Sequence, residues 1–181
     1  MKRIIFIFFS LFLMGACTSK LDIDQAEKLE IQPVFEGDIF YFDLHKPNLT
    51  DHSGNFRSIV TDTVDFSLFD DGKIRDGFIR AEIEVAFNNS FERNFLAELL
   101  FTDDNYQTVA QSELHIAPAS PANQQVVGDT VFVFDSAANP NFVNFRKIVL
   151  KITVSPDTLP VEDKTLHMQT KGTFYTKIIL D

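Results

Sequence analysis

From Leu29 onward, hydrophobic and polar positions alternate with a period of two rather than 3.6. Between Phe78 and Asn88, the residues Ile79, Ala81, Ile83, Val85 and Phe87 hold one phase, and Arg80, Glu82, Glu84, Ala86 and Asn88 hold the other. Successive side chains of a strand point to opposite faces, so this pattern places one face on a core and the other in water, as in a half-buried antiparallel strand. Phe95, Ala97, Leu99 and Phe101 repeat it after the turn-rich Asn88-Asn89-Ser90, with Leu96 and Leu100 making the second face less polar. Val64, Phe66 and Leu68 form a shorter stripe that Asp70-Asp71-Gly72 closes as a tight turn. Ala110, Ser112, Leu114 and Ile116 make a weaker one, ended by Pro118 and Pro121. Val131 to Phe134 is a short continuous apolar run, and Ile148, Leu150, Ile152 and Val154 alternate with Lys147, Lys151 and Thr153. Gly172 to Leu180 sets Phe174, Ile178 and Leu180 against Thr173, Tyr175 and Lys177. With Leu29 to Phe35 and Ile39 to Leu44, the pattern predicts about nine strands, no helix longer than a turn or two, and an all-β antiparallel sandwich.

The first residues follow a different rule. Lys2 and Arg3 precede an apolar run from Ile4 to Met14, broken only by Ser10, and the small residues Gly15 and Ala16 follow. This order is that of an export signal, and the run is too short to span a bilayer as an anchor. It ends at Cys17, the only cysteine. The stretch Met14-Gly15-Ala16-Cys17 resembles the lipobox of bacterial lipoproteins, with Met14 where leucine is commonest. The resemblance implies cleavage before Cys17, a diacylglycerol on its sulfur and a protein that is anchored rather than spanning, because two or more acyl chains make attachment effectively permanent. It also implies an outer-membrane location, since Thr18 is not the Asp that marks inner-membrane retention, while the periplasmic or surface orientation stays open. Residues 1–16 are then the signal, the polar residues 17–28 a lipidated N-terminus and tether, and residues 29–181 a single sandwich domain. With Cys17 acylated, no thiol remains for a disulfide, so the domain must rely on its core.

Composition sharpens this picture. The 181 residues carry 26 acidic and 16 basic side chains, a formal charge of −10. Loss of Lys2 and Arg3 with the signal makes it more negative still, which excludes nucleic acid as a natural partner. The chain has twenty Phe against three Tyr and no Trp. Four of the Phe lie in the signal, and the rest fall mostly on inward phases, where each buries a large apolar area without needing a polar partner. The succession of strand, Asn-rich turn and strand, with Asn88-Asn89-Ser90-Phe91 leading from a strand into a Phe-bearing turn, is similar to the immunoglobulin-like sandwiches of the late-embryogenesis-abundant type 2 (water-stress) family. That resemblance implies an immunoglobulin-like fold and little about function.

No residue set identifies a reaction or a cofactor. His45, His52, His115 and His167 lack a histidine partner at metal-ligand spacing, and no cysteine completes a zinc set. Nucleophile-elbow, Walker and Rossmann patterns do not occur. Asp70-Asp71 and Asp103-Asp104, with Asp76 or Asn105, offer oxygen ligands for Ca²⁺ but lie where turns favour Asp anyway. Glu82, Glu84, Asp62 and Asp65 are the carboxylates on predicted strands from which a glycosidase-like pair would have to come. Four triplets, Asp62-Thr63-Val64, Asp129-Thr130-Val131, Asp135-Ser136-Ala137 and Asp157-Thr158-Leu159, resemble the O-glycosylation sequon of some bacterial exported proteins, which implies acceptor hydroxyls at Thr63, Thr130, Ser136 and Thr158. The competing reading is that Asp-Thr-Val is how a turn enters a strand. Val64 and Val131 are expected on inward phases, which turns Thr63 and Thr130 outward. The function expected from the sequence is that of a non-enzymatic interaction or accessory lipoprotein, held to the membrane by its lipid and facing another envelope protein or a glycan. A glycan- or ligand-binding lipoprotein using Tyr41, Tyr106 or Tyr175, and a carboxylate-dependent hydrolase, are the alternatives.

Cys17→Ala is expected to leave uncleaved precursor or protein released from the membrane fraction. Metabolic labelling with a palmitate analogue and membrane fractionation check it, and unchanged labelling and fractionation would refute the anchor.

Overall fold

The computed structural model describes residues 29–155 and 164–180. Cys17 and Thr158, and with them the signal, the tether and one triplet, lie outside the described residues. The strands are β1 (Leu29–Ile31), β2 (Val34–His45), β3 (Ile59–Asp65), β4 (Phe78–Asn89), β5 (Asn94–Thr102), β6 (Thr108–Ile116), β7 (Val126–Asp135), β8 (Lys147–Ser155), β9 (Thr165–Thr176) and β10 (Ile178–Leu180). The longest helix among the described residues is α1 (Gly72–Asp76). The unit from Gln32 to Ile178 holds two four-stranded sheets, in the orders β2-β9-β4-β7 and β3-β8-β5-β6. A short sheet pairs β1 with β10.

The all-β antiparallel sandwich is as expected, but its connectivity is that of a jelly roll rather than the immunoglobulin-like order that the family resemblance implies. Alternation tells each strand which face goes inward and leaves its neighbours undecided. Here β2 pairs with β9, close to the far end of the chain, from Val34↔Tyr175 to His45↔Thr165. Three element boundaries also differ. The expected strands before and after Gly37 are one strand, β2, with a register irregularity between Asp38 and Phe40. Phe35 and Gly37 share one phase and Phe40, Phe42 and Leu44 the other, so an extra residue at Ile39 is what keeps both sets facing the core. β9 begins at Thr165 rather than Gly172, because its inward face includes Thr170 and Gly172, which interrupt the apolar stripe. Asp71 is an N-cap and not a tight turn: its carboxylate accepts from the backbone N–H of Lys73 at 2.8 Å and of Ile74 at 3.3 Å, starting α1.

All sixteen Phe outside the signal belong to the core or pack on it. Their strongest concentration is not on strands. Phe66 and Phe69 come from the turn after β3, and Phe142 and Phe145 from the turn before β8. Phe69 meets Phe78 at a ring-centroid distance of 5.3 Å, Phe145 at 5.5 Å and Phe174 at 5.9 Å, all near perpendicular. Phe142 stacks on Phe134 at 4.4 Å and on Phe78 at 5.7 Å. These edge and offset contacts suit the quadrupoles of the rings. Arg146 fastens the two turns. Its Nε pairs with Asp70 at 3.1 Å, its Nη1 donates to the carbonyls of Val143 and Phe145, and its backbone N–H and C=O bond to Thr102 and Phe66. At the β4–β5 turn, fully buried Asn89 has its own polar atoms satisfied: Nδ2 donates to Ala117 O at 2.8 Å and Arg93 O at 3.2 Å, and Oδ1 accepts from Phe91 N at 2.9 Å.

Phe69→Ala and Phe142→Ala should each destabilise the domain by about 3–5 kcal/mol, the range for a fully buried Phe. Because the two rings touch, at 6.3 Å between centroids, the double variant should lose less than the sum. Urea denaturation of the two single variants and the double variant tests this, and strict additivity would contradict a shared cluster.

Candidate functional site

The same irregularity that preserves the core phase of β2 opens the sandwich beside it. A cleft of about 350 Å³ lies between β2 and the end of β3, floored by Phe35, Ile39, Val64, Phe66, Leu68 and Phe174 and rimmed by Glu36, Asp38 and Asp65. Two glycines shape it. Gly37 and Gly172 are paired across β2 and β9 on the inward phase. At Gly172 a Cβ would stand 2.6 Å from the Phe174 ring and 2.9 Å from Ile39 Cδ1, so only glycine lets those two side chains lie over the strand. At Gly37 a Cβ would meet nothing within 4 Å. The volume and the apolar floor with a few polar rim groups are those of a binding site for a small group or a side chain.

The rim is charged and organised. Glu36 pairs with Lys171, and Lys147 Nζ pairs with Asp65 at 2.5 Å. Each carboxylate holds its lysine's pKa above the usual ammonium range, chiefly through the direct hydrogen bond. Asp38 Oδ2 accepts from Tyr41 Oη at 2.7 Å, which pushes the phenol up because the carboxylate hydrogen-bonds its protonated form. Three carboxylates against two lysines leave the rim negative.

Outside the cleft, the outer face of β2, β9 and β4 is a polar ladder. Tyr41 and Tyr175 both lie on it, so two of the three tyrosines share one surface. Gln169 Nε2 donates to Tyr41 Oη at 3.3 Å, and His167 Nδ1 lies 2.5 Å from Asp43 Oδ1. Tyr175 Oη donates to Glu82 Oε2 at 3.0 Å, while Arg80 lies 4.5 Å over the Tyr175 ring and 2.6 Å from Glu82. The guanidinium therefore occupies one face of that ring. Tyr106 lies elsewhere, at the tip of the β5–β6 turn with φ of 60° and Lys147 5.6 Å over its ring.

The other residues singled out in the sequence scatter. Asp103 is committed to its turn, accepting from the backbone N–H of Asn105 and Gln107 at 2.8 Å each, and Asp70 pairs with Arg146. Among the described residues no cluster of three His, Cys, Asp or Glu is placed to hold a metal ion. Glu82 and Glu84 face outward from β4, on the opposite sheet from Asp62 and Asp65 of β3. Of the triplets, Thr63 is exposed on β3 beside inward Val64, as expected. Ser136 is half-buried at a turn in which Asp135 Oδ1 accepts from Ala137 N at 2.8 Å. Thr130 reverses the expectation. It sits on the inward phase of β7 with Phe132 and Phe134, half-buried, and Val131 is the outward residue. The phenylalanines decide the register there because they bury more apolar area than the valines. The cleft is what the sequence does not reveal: its trace is the phase change across Gly37, which alternation alone presents as a break between two strands.

Among the described residues no helix is long and apolar enough to cross a membrane. No family model matches the chain, and no curated protein matches it. Among solved structures the chain is similar to that of infectious bursal disease virus, Gx strain, at 11% identity and a TM-score of 0.43 over 81% of this chain and 32% of that one. A protein named as secreted, from Parabacteroides distasonis, is similar at 14% identity and a TM-score of 0.45, over 66% of this chain and 38% of that one. The enzymatically active domain of bacteriophage CBA120 tailspike protein 4 is similar at 13% identity and a TM-score of 0.40, over 86% and 20%. The chain thus spans well under half the length of each of these structures.

Proposed function

We propose that this protein is an exported lipoprotein, tethered to the outer membrane through Cys17, whose sandwich is a non-enzymatic binding module. The observation that carries the binding role is the open, apolar-floored cleft at Gly37. A glycine on an inward phase, at a backbone conformation any residue adopts, leaves apolar surface uncovered that a larger side chain would fill, and empty apolar space is ordinarily destabilising. The rim selects the occupant: an apolar body with a cationic end, such as an alkyl or aryl amine or the Lys or Arg side chain of a partner protein, fits a floor of Phe, Ile, Leu and Val beneath a negative edge.

A titration of the unlipidated domain, residues 25–181, with octylamine and with octanoate tests this. Methyl resonances of Ile39, Val64 and Leu68 should shift saturably with octylamine and not with octanoate. Gly37→Leu should raise the unfolding midpoint by filling the space, by about 1 kcal/mol of added burial, and abolish the octylamine response. Equal response to both amphiphiles, or binding that survives Gly37→Leu, would overturn the reading.

For the modification reading we propose Thr63 first, the exposed one among the described triplet hydroxyls, ahead of half-buried Ser136. Thr63, exposed beside an Asp whose carboxylate accepts its own backbone N–H at 2.8 Å, is the triplet hydroxyl a glycosyltransferase would reach. Intact mass of the native protein should exceed the lipidated polypeptide by hexose-sized steps, with a step lost in Thr63→Ala and none lost in Thr130→Ala. A native mass equal to polypeptide plus lipid reduces the triplets to turn chemistry.

A further inference from the structure

The strand β7 closes one edge of its sheet, pairing with β4 on one side and with no described strand on the other. Over its ten residues, about half the backbone N–H and C=O groups point to that free side, as antiparallel geometry requires. Natural edge strands usually carry charges, bulges or prolines that discourage pairing. This one is regular against β4 from Arg80↔Asp135 to Asn89↔Val126, contains no proline, and presents valines on its outer phase. Val127 is 72% exposed, Val131 50% and Val133 55%. Three large apolar side chains on one face of one edge strand are not scattered surface residues.

The charges around them are predominantly acidic, with Arg80, opposite Asp135 in β4, already paired to Glu82. Asp129 and Asp135 share the outer phase with the valines, and Glu84 lies beside Val131 on β4. Neither Asp129 nor Glu84 has an ion-pair partner among the described residues. A strand laid along the free side would face, in order, Asp135, Val133, Val131, Asp129 and Val127 at every second position.

We propose that β7 is a strand-addition site for an extended segment of a partner protein, which completes the sheet as a fifth strand. Main-chain hydrogen bonds supply the attachment, and the outward side chains supply the choice. In the antiparallel sense the matching pattern is basic-x-apolar-x-apolar-x-basic-x-apolar, which sets cations opposite Asp135 and Asp129 and apolar groups opposite the three valines. The acidity of the site and of the whole chain, −10, favours such a basic strand over a second copy of this one. The site is separate from the Gly37 cleft, which lies at β2, the opposite edge of the same sheet.

The full-length lipidated protein in non-ionic detergent is titrated with a fluorescent peptide Lys-Thr-Val-Thr-Val-Thr-Lys-Thr-Val, read by anisotropy. Saturable binding is expected, weakened on the order of tenfold or more when both Lys are replaced by Glu, and likewise by Asp129→Lys or Val131→Lys in the protein. Both protein substitutions are at outward positions, and an unchanged thermal midpoint shows that the fold is kept. A peptide N-methylated at alternate amides on the edge-facing side should lose binding with its side chains intact. Equal binding by the Lys and Glu peptides, or by the N-methylated peptide, overturns strand addition. So does sedimentation showing a dimer of the chain that Val131→Lys dissociates, since β7 would then be occupied by a second copy.

Discussion

The fold depends on rings packed against rings. A sandwich in a chain with a single cysteine has no internal disulfide to draw on and must close its ends with side chains, and here one end is closed by phenylalanines from two turns. Phe69 and Phe142 each touch five other aromatic rings of the core, and Phe145 touches four. The rings join residues from both sheets: Phe78, Phe134 and Phe174 from one, Phe101 from the other. Arg146 and Asp70 hold the two turns at the surface while their rings go inward. Phenylalanine suits the task because it fills volume without a polar atom to satisfy, which explains its excess over tyrosine and tryptophan.

The demand for one continuous core also produces the cleft. In β2 the inward phase changes at Ile39, so that Phe35 and the set Phe40, Phe42 and Leu44 all face inward. A bulge achieves this by bending the strand and locally breaking its ladder. Gly172 accommodates the displaced Ile39 and the Phe174 ring, and Gly37 leaves the adjoining space open. The irregularity therefore serves packing on one side and makes a concave surface on the other. A larger residue at Gly37 would restore the packing alone, which is the usual opposition between stability and a binding surface.

The sequence discloses faces well and partners poorly. Period-two alternation located β4, β5 and β8 nearly to their ends, because there the inward residues are apolar almost throughout. It missed the first half of β9, whose inward Thr170 and Gly172 break the stripe, and it showed only Val131 to Phe134 of β7, because Gly128, Asp129 and Thr130 interrupt the apolar run before it. Neighbours such as β2 and β9, more than a hundred residues apart in the chain, follow from closure of the jelly roll and leave no local trace. The cleft depended on that pairing, since Gly37 and Gly172 meet only across it. Acidic turns fared differently: the role of Asp103 in satisfying the backbone N–H groups of its turn follows from residue type and position alone, whereas Asp71 starts a helix where a tight turn is expected.

The character of β7 follows from a competition between two apolar sets on one strand. Slipping its register by one would bury Val127, Val131 and Val133 and expose Phe132 and Phe134. Phe134 stacks on Phe142 and lies 4.9 Å from Phe101, so that slip would dismantle the ring cluster that closes the sandwich. Gly128 belongs to the same arrangement: the Phe87 ring lies where its Cβ would be, at 2.6 Å. The inward face of β7 is thus fixed by the core. The outward valines are not required by it, because polar β-branched residues would hold the same strand without presenting apolar surface to water. Packing therefore accounts for the inward set of β7 and leaves the apolar outward set, on an edge with no neighbouring strand among the described residues, without a role in holding the domain together.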